Sequence, residues 1–378
     1  MIIKKYPEDF YVKEVLELPK NTGNFAWYLM WKKNLSTIRA IKIIRNKLGI
    51  SKKRISFAGE KDKKAITEQY ISIKNFEGKD FYDFKNVKLK YIGHFDQPVS
   101  TDLLKGNEFR IVVREISKEE RKNFYENIDL VKKYGMPNYF DEQRFGDIRA
   151  INHLIGKAIL KGNLEEAAKI LLTYTSEKEN PKATEARKWL KENWGKFREA
   201  LRKFPKWLDV ELAVLNYLVH HPKDYANALR KLHKKLLLLF VHSYQSHIFN
   251  KALSEIIKKT SEYREIEFSF GKLAFPKKWL NYDLIKDLEL PIIGFKTNLN
   301  AYPDFVKEIY EKILKEEGIS LEDFKVKKLP ELSCSGDKRK AIVKPENLKY
   351  EEDEDVILYF FLPKGSYATI LIKYLFLI

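Results

Sequence analysis

The chain has 378 residues, with 71 Lys and Arg against 53 Asp and Glu, a formal net charge of +18. Hydrophobic residues at 44% and aromatics at 13% supply a core and exclude a disordered chain. A single cysteine, Cys334, excludes an intramolecular disulfide framework and Cys-rich zinc modules, and makes the reducing cytoplasm the expected compartment.

No apolar segment precedes the acidic pair Glu8-Asp9, and every apolar stretch is too short for a membrane span, so neither secretion nor insertion is expected. A cationic surplus of this size favours a polyanionic partner, because each neutralised phosphate releases counterions. The plain alternative is a charge that serves solubility. Distribution favours the polyanion: residues 1–64 carry 13 Lys and 3 Arg against 6 Asp and Glu, more than half of the excess in a sixth of the chain.

In chain order, Phe25, Trp27, Leu29 and Trp31 alternate with period two, as one face of a β-strand would. Ser36 or Thr37 then caps a helix carrying Ile38, Ile41, Ile44 and Leu48 on one side, with Gly49 past its end. A short apolar piece, 55–58, runs into Gly-Glu-Lys-Asp-Lys-Lys (59–64), and the chain is extended again after Thr67, which puts Asp62 in a strand-to-strand loop. Strands at 87–92 and 109–116 follow, then a helix opened by the capping box Ser117 to Glu120. From about 147 the periodicity turns helical, at 150–161, 164–173, 183–201, 207–219 and 225–258. Mixed strands and helices return near 266–330. The C-terminal part reads as a strand at 356–362, a Pro-Lys-Gly turn and a helix from Ser366 or Tyr367. The expected architecture is α+β: an antiparallel mixed domain of residues 1–146 and 331–378, interrupted by a mostly helical domain at 147–330.

Nucleotide-cofactor and zinc-enzyme signatures are absent: there is no GxGxxG, Walker loop or HExxH, and no His pair at i,i+4. Three segments resist a purely structural reading, although each has one. Residues 57–69 place Asp62 among Lys61, Lys63 and Lys64, ammonium groups that would hold a carboxylate ionised, after a glycine that admits close backbone approach; the plain reading is a solvated turn. Residues 137–146 interleave Asn138, Tyr139 and Phe140 with Arg144, a composition suited to stacking on an unpaired base and bonding its edge, or to anchoring a buried loop. Residues 361–369 form a turn that feeds a helix N-terminus.

Together these segments resemble the signature motifs of the TruD family of tRNA pseudouridine synthases: Gly-x-Lys-Asp-(Lys/Arg)-x-Ala-x-Thr-x-Gln, Asn-Tyr-Phe-x-x-Gln-Arg-Phe-Gly and Leu-Pro-x-Gly-Ser-(Tyr/Phe)-Ala-Thr. Pro7-Glu-Asp-Phe10, Ser243 to Asn250 and Gly336 to Ala341 agree, so the resemblance runs from residue 4 to residue 375. It implies a pseudouridine synthase catalytic domain interrupted by a TRUD insertion domain. The implied activity is isomerisation of uridine to pseudouridine in tRNA, at position 13 of the D-arm, without a cofactor or metal. It implies Asp62 as the catalytic carboxylate and Lys4 as its basic partner. Phe10, Asn138, Phe140 and Tyr367 would contact the flipped nucleotide, and Lys61, Lys63, Lys64 and Arg144 would bind RNA. tRNA is the implied partner, with no membrane and no protein partner, and the chain is expected to be a monomer. A non-catalytic RNA-binding protein would account for the charge equally well. A third reading, Glu60 and Asp62 as a glycosidase pair, suffers from carboxylates two residues apart, which an extended backbone points to opposite faces.

Overall fold

The computed structural model describes residues 1–377. The chain divides into two compact units, one of Met1–Met136 with Val343–Leu377 and one of Pro137–Ile342. The boundaries expected at 146/147 and 330/331 therefore stand at 136/137 and 342/343. The reason is local to the second unit: the backbone of Phe140 exchanges hydrogen bonds with the Asn250 amide (2.9 and 2.8 Å), and Tyr139 donates its hydroxyl to Ala274 O at 2.6 Å. Strand Asp337–Lys340 likewise pairs with Glu289–Ile292 of the same unit.

The first unit is built on a ten-stranded sheet. Across it run Glu346–Glu352, Val356–Pro363, Leu104–Arg114, Phe10–Leu16, Ile66–Lys74, Phe25–Lys33, Val87–Phe95 and Phe81–Asp83, with Ile2–Ile3 added to Leu104–Arg114 and Ile55–Phe57 added to Ile66–Lys74. Every neighbouring pair is antiparallel except one. Phe10–Leu16 runs parallel to Ile66–Lys74, with Tyr11 opposite Ile66.

Helix Thr37–Leu48 begins where Ser36 accepts a hydrogen bond from Arg39 N and ends at Gly49 in the left-handed region (φ 64°), which a glycine adopts without the usual Cβ penalty. Its buried face is Thr37, Ala40, Ile41 and Ile44, packed with Ala26, Tyr28 and Met30. Ile38 is exposed, contrary to the sequence expectation. Strand Phe25–Lys33 forms where the alternation places it; Trp27 is buried with Phe95 and Val99 while Phe25, Leu29 and Trp31 on the same face are half-buried, and the opposite face, Ala26, Tyr28, Met30 and Lys32, is buried throughout. On another part of this unit, Lys118–Tyr134 packs against Ala368–Leu377, where Phe124 stacks on Phe376 at 4.9 Å and Asn123 donates to Phe376 O.

The second unit is mostly helical, around the 27-residue helix Lys234–Thr260. The helix expected at 183–201 is two, Pro181–Glu192 and Phe197–Lys203, separated where Gly195 adopts φ 97°. The one expected at 225–258 is also two, because His233 stops at extended backbone and caps a new start by accepting from Lys235 N. The buried Arg187 and the half-buried Arg149 pair with Glu179 and Glu211, with Arg187 Nη2 at 2.7 Å from Glu211, an ion quartet that ties the inserted helices together. Among the described residues no helix is long and apolar enough to cross a membrane.

Candidate active site

The one parallel pair of the ten-stranded sheet, Phe10–Leu16 with Ile66–Lys74, decides where the site lies. Two parallel strands in register bring the segments before each of them to the same sheet edge. Lys4 precedes Phe10–Leu16 and Asp62 precedes Ile66–Lys74, so residues 58 positions apart in sequence meet, with Lys4 Nζ 3.1 Å from Asp62 Oδ1. Both remain accessible, at 23% and 32% side-chain exposure.

Lys4 reaches this position with a left-handed backbone, φ 59°. For a residue with a Cβ this conformation costs on the order of 1 kcal/mol or more, so the surrounding structure has to impose it. Its ammonium also lies 4.0 Å from the centre of the Phe10 ring, a cation–π contact. The neighbouring Lys5 turns away and pairs with Glu115 at 2.6 Å, which settles which of the two lysines faces the carboxylate. Phe10 itself is 3% exposed, edge-on to Phe109 at 6.2 Å. Its ring, expected as a nucleotide contact, lies against the Lys4 ammonium.

The loop carrying Asp62 is held from below by side chains that are themselves buried. Gly59, at φ 151°, offers its carbonyl to Gln69 Nε2 at 3.0 Å. Thr37 donates its hydroxyl to Gln69 Oε1 (2.8 Å) and accepts from Lys61 N (3.0 Å). Lys32 donates to the carbonyl oxygens of Leu35 and Asp62, both at 2.8 Å. Glu14 forms an ion pair with Lys61 Nζ at 2.8 Å and accepts from Tyr70 N at 2.9 Å. Burial pushes the Glu14 carboxyl above the usual range, while Lys61 and the Tyr70 N–H oppose that shift. The Lys61 ammonium, expected on phosphate, is thus engaged beneath the loop, whereas Lys63 and Lys64 are exposed. Glu60 is also exposed.

The remaining expected residues have their own settings. Tyr367 is half-buried immediately before helix Ala368–Leu377, its carbonyl accepting from Ile370 N and Leu371 N. Asn138, Phe140 and Arg144 belong to the second unit. Asn138 donates to Lys340 O at 3.1 Å and accepts from Arg339 Nη2 at 2.7 Å, so its amide is engaged with strand Asp337–Lys340. Phe140 is buried, with the Arg339 guanidinium 4.1 Å from its ring centre and Phe249 edge-on at 5.5 Å. Arg144 donates to Ser246 at 3.1 Å. Open cavities of about 500 Å³ in the second unit, one beside Lys251, Lys258 and Glu316 and one beside Arg187 and Trp207, include none of these residues. Among the described residues, no cluster of three or more His, Cys, Asp and Glu is arranged to hold a metal ion.

Sequence reading missed Glu14, Lys32, Thr37 and Gln69 as a set. Gln69 stood inside a quoted motif, and a signal for Lys32 was available: it continues the alternation of Ala26, Tyr28 and Met30.

A half-open carboxylate paired with an ammonium group, on a loop fixed by buried polar side chains, is the make-up of a carboxylate-dependent enzyme on an α+β scaffold. The family model for tRNA pseudouridine synthase D (TruD) matches residues 1–268 and 286–375. A probable tRNA pseudouridine synthase D of Nanoarchaeum equitans is 40% identical, covering 100% of this chain and 99% of its own. The tRNA pseudouridine synthase D of Aquifex aeolicus is 36% identical over 99% of this chain and 97% of its own. A crystal structure of the TruD protein of Methanosarcina mazei superposes with a TM-score of 0.75 at 31% identity, covering 100% of this chain and 93% of that one. The chain belongs to the TruD family of tRNA pseudouridine synthases, isomerases acting on tRNA.

Proposed function

We propose that this protein converts uridine to pseudouridine at position 13 in the D-arm of tRNA, with Asp62 acting on a nucleotide turned out of the RNA stack. The reaction breaks the C1′–N1 bond, rotates the detached uracil and forms a C1′–C5 bond; N1 gains a proton and C5 loses one, so the product is an isomer. A carboxylate has two uses in it, as a nucleophile toward sugar or base and as the acceptor of a proton. The observation that carries the reading is the Lys4–Asp62 pair, accessible and fixed at 3.1 Å.

Phe10 and Tyr367 supply aromatic faces for the displaced base, and Lys63 and Lys64, on the loop of Asp62, attract the phosphate backbone. In the second unit, Asn138 serves through its amide, Phe140 through its aromatic ring beside the base, and Arg144 through its guanidinium. The enzyme works in the cytoplasm as a monomer.

The test is release of tritium from tRNA carrying [5-³H]uridine, together with nucleotide-resolution mapping of the product. Asp62→Asn is expected to lower kcat by about 10³-fold or more while tRNA binding persists. Activity surviving that substitution would sink the catalytic assignment, and tRNA binding without isomerisation by the unmodified protein would support the RNA-binding alternative. Product at a uridine outside the D-arm would overturn the position.

A further inference from the structure

Lys32 has 0% exposure and, among the described residues, forms no ion pair with any carboxylate. Its ammonium is held instead by backbone oxygens, those of Leu35 and Asp62 at 2.8 Å and that of Lys61 at 3.4 Å. Burying a charge in this way works against stability, and an apolar side chain of the same length would fill the space at lower cost. Thr37, Gln69 and Glu14 restrain residues 59 and 61, whereas Lys32 grips the backbone of Asp62 itself.

We infer that Lys32 is a positioning residue for the isomerisation: by donating to the carbonyls of Leu35, Lys61 and Asp62 it fixes the backbone from which the Asp62 carboxylate projects. This rests on the reading of Asp62 as the reacting carboxylate. The geometry accounts for why a charged donor is used. An ammonium has three hydrogens for three carbonyls, and a neutral amine has two. The charge also attracts Asp62, whereas the neighbouring Lys61 charge repels it. Lys4 lies against Asp62 and Glu14 against Lys61, so both flanking charges have partners of their own. Burial lowers the Lys32 ammonium from its ordinary value to about 8, with Asp62 opposing the shift, so the third donor is lost within an accessible pH range.

The experiment measures kcat and KM on tRNA from pH 6 to 9 for wild type, Lys32→Met, Lys32→Gln and Asp62→Asn, with thermal melts of each. Lys32→Met is expected to lower kcat about 10–100-fold, the scale of a small misplacement of a reacting group, with KM within about threefold and no large loss of melting temperature. The alkaline fall of wild-type kcat, with an apparent pKa near 8, is expected to disappear in Lys32→Met. A folded Lys32→Met enzyme with wild-type kcat, or one that retains the wild-type alkaline limb, overturns the inference. If Lys32→Met does not fold, Lys32→Gln, which keeps two N–H donors and removes the charge, must lower kcat about fivefold or more; wild-type kcat in that variant overturns it. An active Asp62→Asn enzyme would instead refute the Asp62 assignment, so the two failures are distinguishable.

Discussion

Glu14 and Lys61 form an ion pair at 2.8 Å beneath the loop that bears Asp62, with the Glu14 side chain sealed from solvent. Removing one member of a fully buried pair costs roughly 3–5 kcal/mol, because the other charge is left without compensation. Lys61 keeps some access to water, so Glu14→Gln is expected to cost less, roughly 2–3 kcal/mol in urea unfolding. The glutamine still accepts from Tyr70 N, so the loss reports on the charge pair. Unchanged stability would show that Lys61 simply turns to solvent.

Lys4 joins Asp62 on one side and the Phe10 ring on the other. Lys4→Met keeps the length and the packing over Phe10 but removes the charge. It is expected to lower kcat about 10–100-fold with little change in melting temperature, since pairs this accessible contribute roughly 1 kcal/mol or less to stability. Lys4→Arg is expected to recover part of that loss. Equal kcat for Lys4→Met and wild type would remove Lys4 from the site.

Lys63 and Lys64 are exposed on the loop that carries Asp62. If each neutralises one phosphate, replacing either by Ala should reduce the slope of log affinity against log salt by about 1, and the double change by about 2. The measurement is tRNA binding across a salt series. A slope identical to wild type for the double variant would place the phosphate contacts elsewhere.

In the second unit, His153 is buried with its ring 4.8 Å from that of His247. Burial, aided by His247, lowers it from 6.5 to about 3, so it is neutral in the fold at neutral pH. The sign follows directly. Below pH 6.5 the unfolded chain takes up a proton that the folded chain refuses, so this stability is present above 6.5 and is lost as pH falls toward 3. The loss is roughly 1.4 kcal/mol per pH unit in that window. Between pH 7 and pH 5, wild type should lose about 2 kcal/mol more than His153→Phe, which has no proton to gain. Equal losses would mean that the folded histidine titrates normally.

Legibility differed with the range of the interaction. The cap at Ser36, the left-handed Gly49 and the box from Ser117 to Glu120 were readable because each signal and its partner lie within one turn. The Asp62 loop was readable through its composition and its resemblance to family motifs. The period of two showed that Phe25–Lys33 is a strand but not which face is the more buried, because both faces carry buried residues. The helix expected at 183–201 was drawn too long because periodicity continues across a single glycine that the backbone uses to turn.

Within the site, composition and spacing singled out the loop around Asp62 with its surrounding lysines, while Asp62 as the reacting carboxylate and Lys4 as its partner came from the resemblance to the family motifs. That Lys4 and not Lys5 meets Asp62, that Phe10 lies beneath the ammonium, that Lys61 pairs with Glu14, and that Lys32 clamps the loop were decided by tertiary structure. The Lys4–Asp62 and Glu14–Lys61 contacts depend on one parallel strand pairing, Tyr11 opposite Ile66, between segments more than fifty residues apart, and the Lys32 clamp on the antiparallel pairing that sets Lys32 opposite Thr67. Such a pairing leaves no mark in either segment alone, because its hydrogen bonds are made by backbone that every residue shares.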